Sequence, residues 1–190
     1  MALYSTVCRR ILFAGPLAYE CHNPAEQQSI LVGQLRGYLD ELREIDGTII
    51  GTVDGGPCND QVFESDEKNN YGPYETEEAF NEGIAAAMRT FSGGIFTEMV
   101  VDMVKALPKH NIVLTHGDIA PRNIIVRDGK IVAILDWELS GFYPEYWEYV
   151  KALYLPSWDT GWIQERAVDK VMKPFHLEHA VMRQVRDVFM

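Results

Sequence analysis

The chain has 190 residues, enough for one domain with a substantial core, and its 47% hydrophobic and 24% charged residues describe a globular protein rather than a disordered one. A formal net charge of −11 argues against the basic surface that nucleic acid or an anionic membrane favours, so neither is an expected partner. Cys8, Cys21 and Cys58 contain no CxxC pair and fit reduced thiols; the apolar run after Arg9-Arg10 is too short for a signal core and no eighteen-residue apolar stretch exists, so a cytoplasmic location is expected.

Residues 1–22 hold apolar residues without a clear period and read as a divergent lead-in. Asn23-Pro24-Ala25-Glu26 combines a capping Asn, a Pro suited to the first helical position and a Glu placed for a capping box. Leu31, Leu35, Tyr38, Leu42 and Ile45 then predict a buried stripe on a helix of about six turns that Gly47 ends. From Gly47 to Tyr74 the period dissolves into turn-rich and polar sequence. A loop of that length either lines a substrate site or merely connects helices. Thr76 caps a second helix with Glu77 and Glu78 in its first turn and Phe80, Ile84, Met88 and Phe91 on its apolar face. Ser92-Gly93-Gly94 breaks it. A third helix is expected to turn Met99, Val100, Met103, Val104 and Leu107 inward and to stop at Pro108.

A β region follows. Ile112-Val113-Leu114 reads as a short buried strand, and Ile124-Ile125-Val126 and Ile131-Val132-Ala133-Ile134-Leu135 join through Asp128-Gly129, a strong hairpin signal. The hairpin folds the chain back, making Asn123 at its entrance and Asp136 at its exit neighbours able to share one metal ion. Pro144-Glu145 opens an aromatic-rich helix, and two more helices are expected near 160–172 and 177–188. His176 and His179 form an HxxH with no evident third ligand, so a surface pair is the better reading.

The stretch His116-Gly117-Asp118-Ile119-Ala120-Pro121-Arg122-Asn123, with Asp136-Trp137-Glu138 beyond the hairpin, carries the chemistry. Alone, Asp118 reads as a loop cap, Asn123 as a turn residue and Asp136 as a hairpin exit. Together they supply what metal-assisted phosphoryl transfer needs: one carboxylate to receive a hydroxyl proton, and an amide oxygen and second carboxylate to hold Mg²⁺. These motifs resemble the aminoglycoside phosphotransferase and choline kinase family of small-molecule kinases. With Tyr143-Pro144-Glu145-Tyr146-Trp147-Glu148-Tyr149 the wording is most similar to the fungal branch of that family. Protein kinases carry a related loop with Arg where Gly117 sits.

The resemblance implies Asp118 as catalytic base, His116 as the residue bracing the catalytic loop, Asn123 and Asp136 as Mg²⁺ ligands, and Glu138 as an acidic residue near the metal. It implies ATP and Mg²⁺ as cofactors and a hydroxyl-bearing small molecule as substrate. Arg122 is a candidate for contacting phosphate or the substrate, a solvated or carboxylate-paired side chain being the alternative. Trp137 and Trp147 are expected in the core. The implied fold is α+β and mostly helical, the C-terminal lobe of a protein-kinase-like fold over 23–190, with a small β-hairpin carrying the catalytic and metal residues.

Kinases of this kind cover ATP with an N-terminal lobe that provides a phosphate loop and a strand lysine. The sequence has no GxGxxG and no GxxxxGK[ST], and only Lys68, Lys105 and Lys109 precede the catalytic loop. The ATP-binding lobe is therefore expected to be absent, the isolated chain to be weak or inactive, and a protein partner to cover the missing-lobe surface. The alternative is a non-catalytic, kinase-derived binding or accessory protein.

Overall fold

The computed structural model describes residues 24–60, 71–154 and 161–189. Helix α1 (Pro24–Leu42) and the two-residue strand β1 (Gly51–Thr52) come first, followed by α2 (Glu77–Phe91) and α3 (Ile95–Lys105). Strand β2 (Ile112–Thr115) leads through a 3₁₀ turn, Pro121–Asn123, to β3 (Ile124–Arg127), β4 (Lys130–Ile134) and β5 (Gly141–Pro144). Helices α4 (Trp147–Ala152), α5 (Gly161–Gln164), α6 (Ala167–Val171) and α7 (His176–Val188) complete the described chain. Two small antiparallel sheets form, one ordered β1-β5-β2 and one the β3-β4 hairpin. This helix-rich arrangement agrees with the expected α+β class. Among the described residues no helix is long and apolar enough to cross a membrane.

The expected cap of α1, Asn23, lies outside the described residues. The helix ends at Leu42, short of Gly47, because the chain beyond it is claimed by β2. Leu114 donates its N–H to the Ile45 carbonyl, Gly47 donates to Ile112, and Asp46 bridges Val113. The buried stripe is accordingly Leu31, Leu35 and Leu39, while Tyr38 and Ile45 are exposed, contrary to expectation. The 47–74 stretch is also more ordered than its sequence suggests. Ile50 and Tyr74 exchange backbone hydrogen bonds of 2.7 and 2.8 Å, and β1 pairs with β5; residues 61–70 lie outside the described part.

Thr76 caps α2 as expected, its Oγ1 accepting from the Ala79 N–H at 3.1 Å. Phe80, Ile84 and Met88 are buried, whereas Phe91 is exposed on one side and meets the Phe189 ring at 5.3 Å. The inward face of α3 is Thr97, Val100, Val101 and Val104; Met99 and Met103 point outward. With apolar residues nearly all round this helix, period alone does not select the arc that α2 and α7 bury. Pro144 belongs to β5 rather than to a helix, and α4 begins at Trp147. The helix expected near 160–172 is two short ones, separated at Arg166, which takes a left-handed conformation at φ 51°.

The core beneath the site is aromatic. Trp147 is fully buried, as expected, with the Tyr143 ring stacked on it at 5.5 Å and the Phe80 edge at 5.1 Å. These contacts fix α4 against β5, and that placement puts Glu148 under the His116 loop.

Candidate functional site

The loop after β2 is built around a glycine. Gly117 has φ 83°, and a Cβ there would sit 2.6 Å from the Leu139 carbonyl oxygen. A side chain is therefore excluded both by conformation and by space. This explains locally why Gly stands where related kinase loops carry Arg.

Beneath the loop lies Glu148, on the first turn of α4 and almost completely buried. Its Oε2 accepts the His116 N–H at 2.6 Å, and its Oε1 accepts the Gly117 N–H at 3.2 Å. Charge-assisted bonds of this kind are roughly twice as strong as neutral ones. Burial pushes the Arg43 guanidinium down, and the nearby Glu148 carboxylate is the largest opposing influence. Within the Tyr143–Tyr149 stretch the sequence gives Glu148 no role of its own, because that role arises from a contact 32 positions away in sequence.

His116 is fully buried and braces two segments at once. Its Nδ1 accepts the Asp118 N–H at 3.1 Å, which leaves Nε2 to donate to the Leu135 carbonyl at 3.0 Å. Both ring nitrogens are thereby committed to backbone groups. Such a ring positions the loop, and it has no free nitrogen to offer a substrate.

Asp118 is partly accessible and both of its carboxylate oxygens have partners. Oδ2 accepts from Asn123 Nδ2 at 2.8 Å, and the same amide nitrogen donates to the Asp118 carbonyl at 2.9 Å. Oδ1 is paired with the Arg122 guanidinium, so Arg122 adopts the carboxylate-paired role. All of Asn123's side-chain bonds use Nδ2, and among the described residues nothing donates to its Oδ1.

The hairpin forms as expected, with Asp128 at φ 49° and Gly129 at φ 72° in its turn and a register shift between Ile125 and Val126. Leu135 donates to the Asn123 carbonyl at 2.8 Å, which sets the entrance beside the exit. Asp136 follows at φ 69°, a conformation that costs a non-glycine residue on the order of 1 kcal/mol. Its carboxylate is exposed and has no partner among the described residues. In kind, an acceptor-only amide oxygen and an unpaired carboxylate suit a hard divalent cation.

The remaining expectations divide. Glu138 is exposed on the turn after Asp136; its carbonyl, not its carboxylate, is engaged, accepting from Asn59 Nδ2 at 2.8 Å. Among the described residues no three His, Cys, Asp or Glu side chains form a metal-sized group, so Asp118, Asp136 and Glu138 do not gather as a carboxylate triad. Trp137 is not a core residue. It is 43% exposed, tilts against the His116 ring at 4.5 Å and donates from Nε1 to the Ile134 carbonyl. Asn59 brings the 47–60 segment beside the hairpin exit, and a buried Asp60–Lys151 pair at 3.1 Å, joined by Trp147 Nε1, anchors that segment to α4. The HxxH pair belongs elsewhere: His176 Nδ1 lies 3.0 Å from the Tyr149 hydroxyl, and burial lowers the pKa of His179.

Comparison with known proteins bears on these motifs directly. No curated protein and no solved structure matches the chain. A model of the phosphotransferase enzyme family (APH) does, over residues 20–184, a span that takes in the His116 loop, the hairpin and the Glu148 anchor. The chain belongs to the phosphotransferase enzyme family.

Proposed function

We propose that residues 24–189 form the catalytic-loop half of an ATP- and Mg²⁺-dependent phosphotransferase acting on a hydroxyl of a small molecule. One observation carries this reading. The Asp118 carboxylate is fastened to Asn123, and Asn123 to the residue before Asp136, so proton acceptor and both metal-ligand candidates form one connected unit.

When bound, Mg²⁺–ATP supplies the transferable phosphoryl group and the charge neutralisation on which such reactions depend. Asn123 Oδ1 and the Asp136 carboxylate are the atoms that would hold the metal. Asp118 is placed to take the acceptor hydroxyl's proton, with Asn123 holding Oδ2 and thus the orientation of the carboxylate. His116 and Glu148 keep the loop in that geometry from below, which is the positioning that phosphoryl transfer rewards. Glu138 would act on the metal through its carboxylate only if its turn closes toward Asp136.

The upper side is less complete. Among the described residues no glycine-rich phosphate loop or strand lysine stands over Asp136, and the flanking Leu135 and Trp137 are exposed. On the described residues alone, weak nucleotide binding is the expectation, and a partner protein covering Leu135 and Trp137 would strengthen it. Titration calorimetry with Mg²⁺–AMP-PNP tests the reading. Binding in the millimolar range that requires the metal and disappears in Asp136→Ala is expected. Metal-independent binding, or binding indifferent to Asp136, would overturn it.

A further inference from the structure

We propose that Arg122 is a two-position residue: it covers the Asp118 carboxylate while the site is empty and crosses to nucleotide phosphate when the site fills. Phosphate arrival thus uncovers the base. The inference rests on the phosphotransferase reading above and adds a regulation of the same site.

The two oxygens of Asp118 are held differently. Oδ2 is bonded to Asn123, a buried residue whose amide is also tied to the Asp118 carbonyl, so that contact is fixed. Among the described residues, Oδ1 is held only by the guanidinium of the exposed Arg122. An oxygen accepting from a guanidinium is not free to receive a hydroxyl proton from the same direction. While Arg122 stays, a hydroxyl has only the remaining lone pairs of the carboxylate to approach; when it leaves, the Arg122 side of Oδ1 opens as well.

Leaving is easy. The Arg122 side chain is 60% exposed, and Asp118 is its only hydrogen-bonding or ionic partner among the described residues. Exposed ion pairs contribute about 0–1 kcal/mol. The destination is also close, because Arg122 adjoins Asn123, whose Oδ1 is a candidate metal ligand. A phosphate held there carries more charge than a carboxylate and accepts the planar guanidinium in bidentate fashion. An arginine choosing between the two goes to the phosphate. Arg122 lies inside the 3₁₀ turn Pro121–Asn123, and a change of partner needs only its side chain to move.

A double-variant cycle tests this, using calorimetric titration of the full chain with Mg²⁺–AMP-PNP. The four proteins are the wild type, Asp118→Asn, Arg122→Gln and the double variant, with circular dichroism confirming folding. Arg122→Gln is expected to weaken binding at least about threefold. Asp118→Asn is expected to tighten it, both by releasing Arg122 and by removing carboxylate–phosphate repulsion. Only the first contribution needs Arg122, so the gain should shrink by about two- to fivefold in the Arg122→Gln background. An identical gain in both backgrounds sinks the switch while leaving nucleotide binding intact. Absence of binding in all four proteins sinks the phosphotransferase reading itself, and the switch with it. Should Asp118→Asn fail to fold, the Arg122 Nε resonance of ¹⁵N-labelled wild type provides the same decision: it shifts on titration with Mg²⁺–AMP-PNP if the side chain changes partner, and stays put if it does not.

Discussion

At the scale of single residues, Glu148 shows how a buried charge is justified by what it holds. It satisfies the N–H groups of His116 and Gly117, two backbone donors at the start of the loop after β2. Without it both are left buried, at about 1–3 kcal/mol each before relaxation. Glu148→Ala is expected to lower unfolding free energy by about 3 kcal/mol, read from the midpoint of a urea melt, with Glu148→Gln losing clearly less because one acceptor oxygen remains. Equal midpoints for wild type and Glu148→Ala would mean that water replaces the carboxylate. As candidates, Asp118, Asn123 and Asp136 were legible in the sequence because they sit at short spacings within one loop and one hairpin. Glu148 was not, since nothing local distinguishes it from the neighbouring Glu145. His116 was legible as a brace, although the two segments that it joins emerge only with the fold.

At the scale of elements, the hairpin was the easiest to read and the helix faces the hardest. Asp128-Gly129 demands positive φ at both positions, and the structure has 49° and 72° there. That local demand does not depend on the rest of the molecule. The buried arc of α3 does depend on it, because apolar residues surround the helix and only α2 and α7 decide which of them are covered. The end of α1 depends on it too, since β2 takes the backbone groups of Ile45 and Gly47 that a longer helix would need. The hairpin is also where an element can be tested without touching a site residue. Gly129→Ala places a side chain at φ 72° and its Cβ 3.3 Å from Gln27 Nε2. A loss of about 1 kcal/mol is expected, seen as a melting temperature lower by about 2–4 °C. A larger loss would show that the turn also controls the Leu135–Asn123 contact; no loss would show that the turn relaxes to another type.

At the scale of the whole molecule, charge is the dominant uncompensated quantity. The chain carries 28 acidic and 17 Lys or Arg residues. Its exposed ion pairs, among them Arg36–Asp40, Arg89–Glu98, Lys105–Glu82 and Lys109–Glu78, are of the kind that contributes little, and salt weakens them. The same salt screens the mutual repulsion of the excess carboxylates, which acts over the entire surface and destabilises the compact state. These two effects have opposite signs, so the response to ionic strength decides between them. With a net charge of −11 the repulsion is the larger, and the melting temperature should rise by about 2–4 °C, on the order of 1 kcal/mol, between 20 and 300 mM NaCl. Tetramethylammonium chloride should give the same rise, since screening depends on ionic strength and not on the identity of the cation. A fall in melting temperature with added salt would mean that the surface pairs are worth more than their exposure implies. A rise with sodium alone would point to a specific cation on the acidic surface instead.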